Sequence, residues 1–293
     1  MHVIILGYEE HLLASPTRLH AAEAHLGIQL SIESPDDLSV DIVGSQTKVM
    51  LHGEPLHCDV ILPRGTTPVS PFLDTALTIA TRAGITVINS PDTIRACEDK
   101  LRTAVLLADA GIPQLPTTGL LPGGHIHSLS WEGMVYTKPV WASRGRDITR
   151  HTSVTEANNA LTAMRRESLQ GPVVQHLVAQ PAAVGTGSDY RVLVINGEPI
   201  AVIERRTIDD SPVSTGEGSS KRSIPVSSEP DLCALALTAT KAVGAFYAGV
   251  DIIFHENVPC VLEVNASPGL NVTSRLAHLD LEEILLSSMQ HLQ

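Results

Sequence analysis

Two short apolar segments near the C-terminus, AGVDIIF over 248–254 and LEVNASPGL over 262–270, limit what this chain can build. In the second, Leu262, Val264 and Ala266 alternate with Glu263, Asn265 and Ser267. That period of two makes a strand and puts a carboxylate and a carboxamide on one face. HENVP lies between the segments, with turn-forming Asn257 at its centre, and joins them as a hairpin. A pairing centred on Asn257 sets Asp251 across from Glu263 and Phe254 across from Cys260. Two carboxylates facing each other on an apolar pair of strands repel unless a cation lies between them. The pattern therefore predicts a divalent cation held by Asp251, Glu263 and Asn265. All three donors are hard oxygens, which suits Mg2+ or Mn2+ and not Zn2+. On this reading, neutralising either acid leaves the fold unharmed. A solvated edge hairpin with incidental acids is the plainer alternative.

The rest of the chain bounds the class. Its 293 residues, 43% of them hydrophobic, can bury a large core in one large or two to three small domains. A net charge of -12 argues against general nucleic-acid binding, which needs clustered Lys and Arg. The N-terminal VIIL is far shorter than a signal-peptide core, and no apolar run approaches a membrane span. A cytoplasmic protein without membrane contact is the expectation. Cys58, Cys97, Cys233 and Cys260 lack CxxC spacing, so they read as reduced, mostly buried thiols.

In chain order, HVIILG at 2–7 reads as a strand, and Pro16 opens a helix running through Ala24 to Gly27. CDVILPRG at 58–65 is a second buried strand, followed by a helix through Asp74 to Ala83 and a strand at 85–89. This alternation implies a parallel α/β unit over 1–89. Without GxGxxG it carries no dinucleotide fingerprint. Arg64, at a strand's carboxyl end, is a candidate to meet substrate. Ser90 and Pro91 start a helix closed by Gly111, and on periodicity alone Lys100 is a solvated charge on it. Lys138 differs, because GMVYTKPVW puts one of only five lysines inside an apolar strand, where a paired anion such as a nucleotide phosphate would account for it. His125 and His127 share a face if GHIHS is extended, but Gly123 and Gly124 mark a surface loop. A helix follows from HTSVTEANN with Thr155 as its cap, then a strand at 171–178. DYRVLVI and EPIAVIERR form a hairpin through Asn196-Gly197, with Asp189 and Arg191 on one face. Helices over about 229–243 and from about Val272 to the C-terminus complete the pattern.

AGVDI with LEVNASPGL, DKLRT followed by AGIP, the Lys138-Pro139 strand and DYR together resemble the ATP-grasp carboxylate-amine ligases, particularly the RimK-like branch of ribosomal-protein glutamate ligases. The resemblance covers nearly the whole chain. It implies a mixed α/β (α+β) ATP-grasp fold with an N-terminal α/β domain at 1–89, a central lid at 90–178 and a C-terminal domain at 179–293, with ATP between the last two. By resemblance, Lys100 and Lys138 reach the nucleotide's phosphates. Ser143 and Gly145, in ASRGRD, belong to a small-residue phosphate loop whose amides wrap phosphate oxygens. Gln175, His176 and Val178 form the adenine hinge, and Arg191 and Arg206 lie near the transferring phosphate. The implied chemistry is activation of a carboxylate by the γ-phosphate to an acyl phosphate, followed by attack of an amine to form an amide.

Three departures qualify the substrate. Arg144, Arg146 and Asp147 stand in a phosphate loop that usually carries more glycine, and His176 stands where the family has Glu. In DDSPVSTGEGSSKRS the family's Arg, Asn and His cluster gives way to Pro212, Val213, Ser214, Thr215 and Glu217. A loop with three acids and no base from Asp209 to Ser220 would repel a glutamate side chain, so a neutral or basic amino donor is expected. The partners implied are an amino acid or small amine and a carboxylate on a small molecule, peptide or protein C-terminus, with a homo-oligomer left open. The alternatives are a small-molecule dipeptide or amino-acid ligase of the same fold, and a nucleotide-binding regulatory protein with a decayed active site.

Overall fold

A computed structural model describes residues 1–8, 16–66, 69–121, 123–141, 148–168, 177–181, 187–207, 219–290 and 292. The chain begins with β1 (His2–Gly7), α1 (Pro16–Leu26) and β2 (Gln29–Glu33). A meander of β3 (Leu38–Val43), β4 (Gln46–Leu51) and β5 (Glu54–Pro55) follows, then β6 (Val60–Arg64), α2 (Pro71–Arg82) and β7 (Thr86–Val87). The first sheet is parallel in the order β2-β1-β6-β7. All five β6 residues are buried, as a continuous apolar run requires when both faces are covered. Ser70 caps α2 by accepting from Leu73 N at 3.2 Å, with Pro71 at the first position. The meander was not read from the sequence, although two-residue turns at Gly44-Ser45 and His52-Gly53 pin its register.

The helix expected from Ser90 to Gly111 is two helices, α3 (Pro91–Glu98) and α4 (Lys100–Asp109). Asp99 breaks the run: its backbone is extended and its carboxylate accepts from Leu101 N and Arg102 N. The chain leaving α4 then caps the edge of the last sheet, with Pro113 O accepting from Val261 N at 2.8 Å. A second, antiparallel sheet follows, of β8 (Thr118–Leu120), β9 (Val135–Pro139), β10 (Thr149–His151) and β11 (Leu177–Pro181), in the order β10-β9-β11-β8. It is covered by α5 (Val154–Ser168) through Ala157 and Leu161. Ser153, not Thr155, caps α5, since Ser153 Oγ accepts from Glu156 N at 3.2 Å. Its S-x-x-E spacing was the sequence signal.

The third sheet is antiparallel in the order β14-β13-β12-β15-β16, built from β12 (Ser188–Ile195), β13 (Glu198–Thr207), β14 (Ser219–Ile224), β15 (Tyr247–His255) and β16 (Val258–Asn265). Asn196 and Gly197, both at positive φ, make the β12–β13 turn. One face, carrying Val192, Val194 and Val202, packs on α6 (Pro230–Ala242), together with Leu107 of α4. The other face carries Leu193, Ile195 and Tyr247, which share one core with Val3, Ile5 and Leu62 of the first sheet. The C-terminal helix expected from Val272 is split into α7 (Asn271–Ala277) and α8 (Leu281–Met289) by His278, whose φ is 54°. α8 adds Leu281 and Leu285 to that shared core.

Two polar side chains fix the first sheet to the third. Asn89, 2% exposed, donates from Nδ2 to Tyr247 O (2.8 Å) and Ala266 O (2.7 Å), and its Oδ1 accepts from Phe246 N (2.6 Å) and Tyr247 N (3.2 Å). Arg64, buried and not free to meet substrate, donates to Tyr247 Oη (2.9 Å), Ser267 Oγ (3.2 Å) and Pro268 O (2.8 Å). Because Asn89→Ala leaves buried peptide groups unpartnered, it is expected to cost about 3 kcal/mol or more. Urea unfolding measures it, and a loss under about 1 kcal/mol would show that water replaces the amide.

Candidate functional site

The face of the third sheet that begins apolar at Leu193 and Ile195 ends charged. β12 sets Arg191 opposite Asp251 and Leu193 opposite Gly249, and β16 sets Glu263 opposite Asp251 and Asn265 opposite Gly249. The expected Asp251–Glu263 pair is present, but by a different route. The turn is the two-residue Glu256-Asn257, both at positive φ, so Phe254 pairs with Pro259 and Ile253 with Cys260. A bulge between Asp251 and Ile252 then shifts the register by one and brings Glu263 opposite Asp251.

Protein cations relieve the carboxylate repulsion that the sequence assigned to a metal. Asp251, 3% exposed, accepts from Arg191 Nε at 2.6 Å (Oδ1) and Nη2 at 2.7 Å (Oδ2), and from Arg205 Nη2 at 2.9 Å (Oδ2). Arg205 is held in turn by fully buried Asp189, whose Oδ1 accepts from Nε at 2.7 Å. Burial alone would raise the Asp251 pKa, but Arg191 and Arg205 outweigh it and hold the carboxyl well below the usual range. Asp189 is pushed up to about 6, because burial exceeds what Arg205 returns. Glu263 is raised by burial and then by Asp251, while its side chain stays 40% exposed and its Oε1 lies 3.9 Å from Arg191 Nη2. Asn265 Oδ1 accepts from Ser267 N at 2.9 Å, which leaves its second lone pair. Gly249 makes room here: a Cβ would come within 3.0 Å of Pro268 Cβ and 3.4 Å of Arg191 Cδ.

Two lysines approach from the other side. Lys138 on β9 pairs in register with Val178, a fully buried β11 residue. Its Nζ donates to Gln180 Oε1 at 2.8 Å, and Gln180 Nε2 donates to Thr117 Oγ1 at 2.9 Å. Lys100, at the start of α4, donates to Val140 O at 3.2 Å. Burial pushes Lys138 down to about 8, opposed by Glu263 and reinforced by Lys100. Lys100 is also lowered by burial, against Glu263 and Asp99. Glu263 is thus the acid common to both lysines and Arg191.

Arg206 is not in this cluster. Its parity puts it on the opposite face, where Nε donates to Glu204 Oε1 at 2.9 Å and Arg222 joins the same carboxylate. Arg205 is the arginine of this strand that joins the cluster, through Asp189 and Asp251. Gln180 was also missed, and its signal was a polar residue inside a buried strand beside a lysine strand. Ser143, Gly145, Gln175 and His176 lie outside the described residues, as does the loop at 208–218. The His125 and His127 rings lie 4.9 Å apart, and among the described residues no three His, Cys, Asp or Glu side chains converge on a metal position. The hard-oxygen set of Asp251, Glu263 and Asn265 fits a magnesium-type cation in donor chemistry.

A family model described as RimK-like ATP-grasp domain matches residues 97–289. A probable alpha-L-glutamate ligase of Sodalis glossinidius (strain morsitans) is 29% identical over 95% of this chain and 93% of its own length. One from Legionella pneumophila (strain Corby) is 28% identical over 96% and 92%. Among solved structures, the D-cycloserine synthetase DcsG superimposes with a TM-score of 0.72 at 18% identity over 100% of both chains. The ATP-grasp ligase PsnB with its minimal precursor gives 0.69 at 20% identity over 99% and 98%. A D-alanine–D-alanine ligase from Bacillus anthracis, complexed with ATP, gives 0.66 at 16% over 99% and 96%.

The two opposed acids should respond differently to neutralisation, contrary to the sequence expectation. Asp251→Asn strips two guanidinium groups of their shared partner and is expected to cost about 3 kcal/mol of stability. Glu263→Gln, half open to solvent, is expected to cost under about 1 kcal/mol. Denaturant unfolding without nucleotide or metal makes the comparison, and equal effects would mean that the arginines find other partners.

Proposed function

The chain belongs to the RimK-like ATP-grasp family, and we propose that its charged sheet end and the two lysines facing it bind the polyphosphate of ATP for amide-bond formation. Its activity class is that of an ATP-dependent carboxylate-amine ligase. The single observation that carries the site assignment is the meeting of Lys100, Lys138, Arg191 and Glu263 from three separate parts of the fold.

On this reading Lys100 and Lys138 pair with phosphate oxygens, while Gln180 orients the Lys138 ammonium. Arg191, backed by Arg205, faces the oxygens of the carboxyl group as it becomes an acyl phosphate, where a planar fork matches developing negative charge. Asp251, Glu263 and Asn265 would hold Mg2+ or Mn2+, which when bound neutralises phosphate charge. An amine then attacks the acyl carbon, phosphate leaves with the bonding pair, and the amide forms. The donor is an amino acid or small amine, and the acceptor is a carboxylate on a small molecule, peptide or protein. No helix of the described residues is long and apolar enough to cross a membrane, and we place the reaction in the cytoplasm. Phosphate release from ATP that requires both a carboxylate and an amine supports the assignment. Nucleotide binding without turnover across a panel of amino acids and peptides would favour a regulatory protein instead.

Lys138 gives a pH signature. With a pKa near 8 it is an ammonium below that pH and neutral above it, so ATP affinity should fall as pH rises through 8. Bound phosphate raises the lysine pKa, so binding near pH 8.5 should take up protons, and calorimetry in buffers of different ionisation enthalpy reads that uptake. Lys138→Ala should reduce the uptake and weaken binding by about 2 to 4 kcal/mol. Unchanged affinity would remove this lysine from the site.

The donor can be decided separately. The relatives named for glutamate and the acidic loop at 209–220 point in opposite directions. With glutamate, alanine and lysine in competition, alanine or lysine should give the highest kcat/KM. Preference for glutamate would align the chain with the specificity in those relatives' names.

A further inference from the structure

Arg191 occupies the place that the metal reading gives to a divalent cation. Its Nε and Nη2 engage both oxygens of Asp251 at 2.6 and 2.7 Å, Arg205 Nη2 adds a contact to Oδ2 at 2.9 Å, and Arg191 Nη2 lies 3.9 Å from Glu263. A guanidinium thus holds both oxygens of Asp251, beside a Glu263 carboxyl group that itself hydrogen-bonds to Asp251. Asp251 is already engaged by two guanidinium groups, Arg191 and Arg205. A divalent cation approaching alone would meet a carboxylate already paired and a positive charge at close range. A polyphosphate changes both conditions. It brings negative charge for the cation to bridge, and it offers Arg191 a new planar anion. Arg191 can move, because its side chain is 22% exposed.

We infer that Arg191 and the divalent cation compete for Asp251, so that the metal enters with the nucleotide and not alone, and Arg191 is released onto the reacting anion as it does. The inference rests on the metal reading of Asp251, Glu263 and Asn265. Arg191 is then both the resident counter-cation of Asp251 and the group handed to the acyl phosphate. Coupling by competition makes Arg191 delivery conditional on a loaded nucleotide site.

Electron paramagnetic resonance of free Mn2+ tests this without turnover. Arg191→Met should bind Mn2+, with no nucleotide present, at least about ten-fold more tightly than the wild type, since a unit charge a few ångströms away is removed. Arg191→Lys, which keeps the charge, should stay close to the wild type. Unchanged or weaker Mn2+ binding by Arg191→Met overturns the inference. If Arg191→Met does not fold, the wild type still decides by nitrogen-15 NMR of the arginine Nε–H groups. The Arg191 signal should move with Mg2+ plus a non-hydrolysable ATP analogue and stay in place with Mg2+ alone; a signal indifferent to both overturns the inference. Glu263→Gln and Asn265→Ala separate the two ideas. If they leave Mn2+ affinity in the presence of the analogue unchanged, the metal reading fails and takes the inference with it. If they weaken it while Arg191→Met gives no gain, only the competition fails.

Discussion

A carboxylate that is 3% exposed stays ionised only where its neighbours supply the stabilisation that water would have given, and Asp251 obtains it from Arg191 and Arg205. Asp189, fully buried on the same face, fixes Arg205 and so completes a chain of opposite charges across β13, β12 and β15. This chain begins where the apolar packing of Leu193, Ile195 and Tyr247 ends. The sheet face is therefore half core and half site, and the site's geometry is anchored by packing a few residues away. Glu263 and Asn265 take their positions from that anchor through the strand pairing.

Local patterning made much of this legible. Period-two alternation and a turn residue were enough to oppose Asp251 to Glu263, and Asn196-Gly197 was enough to fold β12 onto β13. What local patterning could not carry was the count of residues between a turn and a pair. The β15–β16 turn is tighter than expected and a bulge restores the lost register, so the right pair was reached from the wrong centre. The same one-residue sensitivity separates Arg205 from Arg206: adjacent arginines on one strand necessarily face opposite ways. The helix read over 90–111 failed for a different reason. Asp99 satisfies the amides of the following turn, so a break that looks costly on periodicity alone is stabilised at its own site.

The junction between the first and third sheets was not legible at all, because its partners are distant in sequence. Asn89 meets Tyr247 and Ala266 only through tertiary folding. Arg64 looked available to a ligand from its place at a strand end, but the turn at Ser267-Pro268 closes over it. Both side chains hold the segment immediately after Asn265, whose own carboxamide braces the Ser267 amide. The first sheet thus sets where the end of β16 lies, and with it the amide oxygen beside Glu263.

The lysine side of the site is organised on a contrasting principle. Asp251 is matched charge for charge, but Lys138 is met at 2.8 Å by the neutral amide of Gln180. A carboxylate in that position would satisfy the ammonium more strongly and keep its pKa high, and it would also cancel the charge that an anion needs to find. An amide holds the ammonium in place through one hydrogen bond and leaves its charge uncancelled at short range, at the cost of a pKa lowered to about 8. Thr117 fixes the Gln180 amide by accepting from its Nε2, so Oε1 faces the lysine. The depressed pKa and the uncancelled charge are then two consequences of one arrangement: an oriented, half-buried cation held by a neutral amide, with Glu263 acting on it only through space.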